Sequence, residues 1–194
     1  MSARDYILSA IAMNQPEFVE IPVIDSSVVI QYDDVYAQFK LVLESIGGRA
    51  VLISDITELQ EQLTTDRLNG SFVVNTISAI GDVDEQVSSL SAFELEKVEK
   101  AYVKGTIGVA ENGAVWVYES QMINRLIPFI CQHLVLVLEK KDIVDTLHQA
   151  YERVEVSKEG FGVFIAGPSK TADIEQSLVI GAHGARSAVI YVIE

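Results

Sequence analysis

Phe161-Gly-Val-Phe-Ile-Ala-Gly-Pro-Ser-Lys-Thr-Ala-Asp-Ile-Glu175, closed by Gly181-Ala-His-Gly184, is the stretch on which the reading of this chain turns. An apolar run, 161–166, stops at a glycine. A Pro-Ser-Lys-Thr turn follows, and helical spacing takes over across 172–181. This order describes a strand that leaves a sheet and hands over to a helix N-terminus, where open α/β sheets place ligand sites. Thr171 stands as the N-cap, and Asp173 and Glu175 put negative charge in the first turn, where the helix dipole favours it. Gly167 admits a close backbone or ligand, and Pro168 sets the turn. The same residues allow two readings. They form a cradle of backbone N–H groups for a carboxylate or phosphate, with Ser169 and Lys170 alongside, or they are ordinary capping. Asp173 and Glu175 weigh against an anion, because they already occupy the positive end of the dipole.

Outward from this stretch, the periodicity predicts an α/β fold with a mostly parallel central sheet flanked by helices. Residues 3–13 read as a short helix with Tyr6, Ile7, Ala10 and Ile11 on one face, followed by an irregular arm to residue 31 with a β-like Val28-Val-Ile30. Asp33 or Asp34 opens a helix carrying Val35, Phe39, Val42, Leu43 and Ile46, and Gly47-Gly48 stops it. Ala50–Ile53 reads as a buried strand, 56–64 as a helix and Phe72–Val74 as a strand. The acidic, serine-containing stretch 81–99 reads as a mobile segment with a short helix at 92–97. Lys100–Val103 and Ala114–Tyr118 are strands, with Asn112-Gly113 as the strongest hairpin dipeptide between them. The all-apolar Leu134–Leu138 is expected to be a central strand buried on both faces. Lys141–Val154 carries an amphipathic helix pattern, with Ile143, Val144, Leu147, Ala150 and Tyr151 inward. The last strand spans 187–193.

Composition bounds the function classes. The chain has 194 residues, enough for one domain over 1–194, and 49% of them are hydrophobic, so it builds a core. The formal net charge is −14, which disfavours a nucleic-acid binder or an anionic membrane surface as partner. One cysteine, Cys131, can neither close an intrachain disulfide nor hold an iron–sulfur cluster. Met1–Ile7 lacks the apolar stretch of a signal peptide, and no apolar run is long enough to insert in a membrane, so a cytoplasmic location is expected.

Few residues can carry chemistry. Glu111-Asn112-Gly113 puts a carboxylate at a tight turn after an apolar strand, where partial desolvation makes a nucleophile or base. A hairpin with an exposed acid has the same sequence. His183, between Gly181 and Gly184, is a base or hydrogen-bonding group at a sheet edge, or a side chain that caps a helix end. Arg186 follows closely and suits a carboxylate. His133 precedes a buried strand and His148 lies in the predicted helix, neither with metal-ligand spacing. Neither a dinucleotide glycine loop nor a Walker loop is present, so no metal and no cofactor is expected.

Gly167-Pro-Ser-Lys-Thr-Ala-Asp-Ile-Glu175, then His183-Gly184 and a closing apolar strand, resembles the C-terminal signature of the LUD (lactate utilization) domain family, and within it the lactate utilization protein C subfamily. The resemblance runs from the N-terminal helix to Glu194. It implies a NagB/RpiA/CoA-transferase-like fold and a part in the bacterial system that oxidises lactate to pyruvate. The chain would be a non-cluster subunit beside iron–sulfur subunits. It would supply a small-carboxylate pocket, lined by Glu111, Gly167, Ser169, Thr171, Asp173 and His183, or a docking surface. In the CoA transferases that share the fold, a Glu-Asn-Gly string carries the acyl group on its glutamate, and this chain has those three residues. The LUD family usually shows Glu-Thr-Gly-Thr, from which Asn112 and Ala114 depart. Two alternatives follow: a stand-alone transferase-like enzyme that acts on a small carboxylate or CoA thioester through Glu111, and a pure interaction module.

Overall fold

The computed structural model describes residues 2–20, 22–23, 25, 28–171, 179–181 and 183–194. Its centre is a five-stranded, all-parallel sheet made of β1 (Arg49–Ile53), β2 (Val73–Asn75), β3 (Lys100–Lys104), β6 (His133–Glu139) and β11 (Ser187–Ile193), in the order β1-β11-β6-β3-β2. Leu134–Leu138 is buried throughout, as the expectation of a central strand requires. A second, four-stranded sheet holds β4 (Ile107–Val109), β5 (Ala114–Tyr118), β7 (Ile143–Val144) and β8 (Gly162–Ile165), in the order β7-β4-β5-β8.

Helices close the layers. α2 (Val35–Ser45) starts at Asp34, whose carboxylate accepts from Ala37 N–H, and ends where Gly47 turns at φ 87° and Gly48 N–H reaches back to Leu43 O. Phe39 and Leu43 are fully buried. They join Ala50, Val103, Val115 and Leu136 in the core between the two sheets. α3 (Thr57–Leu68) covers part of the opposite face through Leu59 and Leu63, against Tyr102, Val135 and Val137. Along β5, Val115 and Val117 face the main core, while Trp116 faces a third cluster with Ile107, Val144 and Ala150. The alternation of a strand thus distributes one segment over two cores. α1 (Ala3–Met13) is built on a Ser2–Asp5 capping box and buries none of its residues.

Several expectations give way. The run 161–166 leaves no parallel sheet: β8 pairs antiparallel with β5, so the rule that places ligands at the carboxyl edge of a parallel sheet does not reach it. Thr171 is no N-cap. It lies in β9 (Lys170–Thr171), which pairs antiparallel with β10 (Val179–Ile180), and the helix expected to continue through 179–181 is absent there. Asp173 and Glu175, with the rest of 172–178, lie outside the described residues. The helix over 141–154 is three pieces: a 3-10 turn at Lys140–Asp142, strand β7, and α6 (Leu147–Arg153). Ile143 and Val144 are β-branched and pair with Gly108 and Val109, and Thr146 restarts the helix with Gln149 in a capping box. Tyr151, expected inward, is 57% exposed. Val28 and Ile30 form no strand and are exposed. The 81–99 stretch is built in: a 3-10 turn at Glu85–Ser89 and α4 (Ala92–Leu95) bury Val87, Leu95 and Val98 completely. The Asn112-Gly113 hairpin forms, with Val109 paired to Ala114 and Gly113 at φ 69°.

Candidate functional site

The signature stretch folds into two turns that lock together. Gly167 turns at φ 70°, and a Cβ there would stand 3.3 Å from both Ile46 O and Ile46 Cγ1. Pro168 is buried behind it. Ser169 N–H donates to Ala185 O at 2.9 Å, and its carbonyl accepts from Gly181 N–H at 3.0 Å, so the start and the end of the signature are bonded directly. A Cβ on Gly184 would stand 3.0 Å from Ser169 Cβ, and one on Gly181, at φ 80°, would stand 2.4 Å from Arg186 Cγ. Glycine is therefore required at these positions by contact, and at Gly167 and Gly181 by backbone angle as well.

Lys170 is exposed and lies near the end of α2. Its Nζ lies 3.6 Å from where a Gly47 Cβ would stand, just past a last turn that has no basic residue of its own. A cation there meets the negative end of the helix dipole. Gly113, of the Glu111-Asn112-Gly113 hairpin, closes on the same place. Cβ positions built on Gly113 and on Gly167 both fall 3.4 Å from Ile46 Cδ1. The two motifs that sequence singled out thus meet on one isoleucine at the C-terminus of α2, a platform that no motif advertised.

Their side chains do not converge. Glu111 Oε1 accepts from Leu147 N–H at 2.9 Å, and Glu111 N–H donates to Asp145 O at 3.0 Å. Leu147 opens α6, so the carboxylate caps a helix whose dipole favours it. Asn112 Oδ1 accepts from Ala114 N–H at 3.0 Å and shapes the turn. Glu111 is partly buried and faces α6, not the signature turns.

His183 is exposed and lies on a surface recess of about 400 Å³, walled by Gly181, His183, Gly184, Phe129, Gln132 and Glu96. Phe129 and Leu126 present 40% of their surface there, on and beside the short helix α5 (Ile127–Ile130). Three of the walls are signature residues. The others were not legible as site residues, because a short apolar helix reads as core. Cys131, beneath this helix, is fully buried, and burial pushes its thiol up to about 12, which removes it as a nucleophile. Among the described residues no three His, Cys, Asp or Glu side chains group as a metal site requires, and no helix is long and apolar enough to cross a membrane.

The LUD domain profile matches residues 98–193, which hold β3 to β11, the hairpin and both signature turns. The chain is 28% identical over 158 residues to "Uncharacterized protein YkgG" of Escherichia coli (strain K12), covering 78% of this chain and 65% of that protein. It is 28% identical over 130 residues to "Lactate utilization protein C" of Shouchella clausii (strain KSM-K16), covering 64% and 56%. It is 34% identical over 92 residues to the protein of that name from Bacillus pumilus (strain SAFR-032), covering 44% and 38%. The chain thus spans between 38% and 65% of the length of these three relatives. A crystal structure of a DUF162 family protein from Deinococcus radiodurans superposes with a TM-score of 0.61 at 16% identity, over 86% of this chain and all of that one, which shows a shared fold. The profile match and these relatives identify residues 98–193 as a LUD domain.

Proposed function

We propose that this protein takes part in lactate utilization as a subunit without a redox centre of its own, and that the recess beside His183 is its working surface. The observation that carries the reading is that the recess is walled by the signature residues Gly181, His183 and Gly184, and that Ser169 bonds the chain on either side of His183-Gly184, at Gly181 and at Ala185. Proteins named lactate utilization protein C are among its relatives, which supports the process. His183 and Arg186, whose side chain passes against Gly181, would meet a small carboxylate such as lactate or pyruvate. Phe129 and Leu126 would meet its methyl end or a partner protein. Iron–sulfur proteins are the proposed partners, and they would carry the electrons.

The transferase reading loses ground on one contact. A glutamate that carries acyl groups must face the thioester, and Glu111 is turned to the start of α6, where its Oε1 accepts from Leu147 N–H.

The test has two arms. A strain that lacks this protein should lose growth on lactate, and the wild-type copy should restore it while His183→Ala with Arg186→Ala should not. Calorimetric titration of the purified protein with lactate and pyruvate should show binding that the double variant loses. Unimpaired growth on lactate without the protein overturns the assignment.

A further inference from the structure

A second cluster of reactive groups lies on the main sheet at the first residues of three neighbouring strands. Lys100, His133 and Ser187 open β3, β6 and β11 and stand side by side in register. His133 Nδ1 lies 2.7 Å from Ser187 Oγ, and His133 Nε2 lies 3.5 Å from Glu99 Oε1. With the ring proton on Nε2, the side that faces the Glu99 carboxylate, Nδ1 is the acceptor and Ser187 the donor. In that tautomer the serine hydroxyl donates to an imidazole with an acid on its far side, which is the arrangement that activates a serine nucleophile.

The surroundings suit a small substrate with two halves. A cavity of about 290 Å³ lies beside Ser187, with Val135, Val189 and Tyr191 as an apolar lining. A second cavity, of about 180 Å³, shares Lys100 and His133 and extends to Asn69 and Glu99. The reactive groups thus stand where two recesses meet. Lys100 bonds Asp66 at 2.7 Å, and Tyr102 and Gln62 also donate to that carboxylate. An ammonium has three donors, so the bond to Asp66 leaves Lys100 two for an oxygen in the cavity.

We propose that Ser187, His133 and Glu99 form an acyl-transfer site for small esters, separate from the signature recess. Ser187 Oγ attacks the ester carbonyl carbon, and its proton passes to His133 Nδ1. Lys100 faces the oxygen that becomes negative. The carbon–oxygen bond to the alcohol breaks, and the alcohol leaves with the proton from His133. Water then attacks the acyl-serine, gives its proton to His133 and releases the acid, and the serine recovers its proton. The apolar cavity takes a short acyl chain, and the smaller one takes the alcohol. Ser187 and His133 are the catalytic residues, and Glu99 is a positioning residue.

The experiment uses the intact protein with a fluorophosphonate probe and with 4-nitrophenyl butyrate. The probe should add one mass increment, mapped to Ser187, and hydrolysis should fall by about 100-fold in Ser187→Ala and in His133→Gln, in the range that general-base catalysis supplies. Glu99→Gln should lower kcat while KM stays near the wild-type value, and Glu99→Asp should recover part of the loss, a split that a purely structural contact would not produce. Absence of label on wild-type Ser187 overturns the proposal whatever the variants do. So does butyrate-ester hydrolysis that Ser187→Ala leaves unchanged.

Discussion

Gly167 is the residue where angle and contact combine. Its φ of 70° already penalises a side chain, and Ile46 fills the place a Cβ would take. Gly70 has a similar angle, 77°, but nothing within 4 Å. Gly167→Ala should therefore destabilise more than Gly70→Ala, by roughly 1–3 kcal/mol in urea titrations. Equal losses would show that the Ile46 contact carries no weight. The need for glycine here was legible from the string, since a glycine ahead of Pro-Ser-Lys-Thr implies a close approach. What approaches was not legible. Ile46 is remote in sequence, and a helix-ending isoleucine looks like any other core residue. Thr171 shows the opposite failure: a threonine before Ala-Asp-Ile-Glu fits a cap by residue type, yet its backbone is paired to Val179. Local propensity yields to a nonlocal pairing in such a case.

At the scale of elements, α6 shows how a hairpin can serve a helix. Thr146 and Gln149 cap each other, and Glu111 takes the Leu147 N–H that the box leaves over. Glu111→Ala should cost about 1 kcal/mol, as the loss of a cap does, and Glu111→Gln less, because an amide oxygen still accepts. After incubation with acetyl-CoA, the peptide that holds Glu111 should show no adduct trapped by hydroxylamine or borohydride, and a mass shift there would restore the transferase reading. Long, periodic elements were legible: α2 with its Asp34 and Gly47 stops, the apolar β6, and the hairpin at Asn112-Gly113. The segment 140–153 was not. Ile143 and Val144 sit on the helical stripe of residues 143–151, and only the availability of β4 as a neighbour makes them a strand. Of the candidate site, the glycines and His183 were visible, while Phe129 and Gln132 were hidden in runs that resemble core.

For the whole molecule, the acid limb of stability should depend on one junction between α3 and β3. Burial alone would raise the Asp66 carboxyl. Hydrogen bonds from Lys100 and Tyr102, the Lys100 charge and a bond from Gln62 outweigh this and hold it below its ordinary 3.8. A carboxyl whose folded value is depressed adds stability above its unfolded value, and that contribution disappears as pH falls through the folded one. Asp66→Asn should therefore narrow the stability difference between pH 7 and pH 3 in chemical denaturation, and an unchanged difference would refute the role. The same junction raises the Tyr102 hydroxyl through burial and through the Asp66 bond, so Tyr102 stays a neutral donor across the working range.

The order β1-β11-β6-β3-β2 puts the last strand between the first and the fourth. Arg49 finds its partner in Val189, and His133 finds one of its two in Ser187. During synthesis β1 therefore leaves the ribosome with no neighbour on the sheet, and β6 with only one, until residues up to Ile193 follow. The growing chain must carry the apolar β1 unpaired for most of its translation, and one edge of β6 for the last part of it, which is the condition under which nascent chains need chaperone protection. The hairpin β4–β5 and helix α2 close through shorter loops and can form early. β2, β3 and β6 can pair with one another before β11 is made, and the sheet is completed late, when β11 enters between two waiting edges.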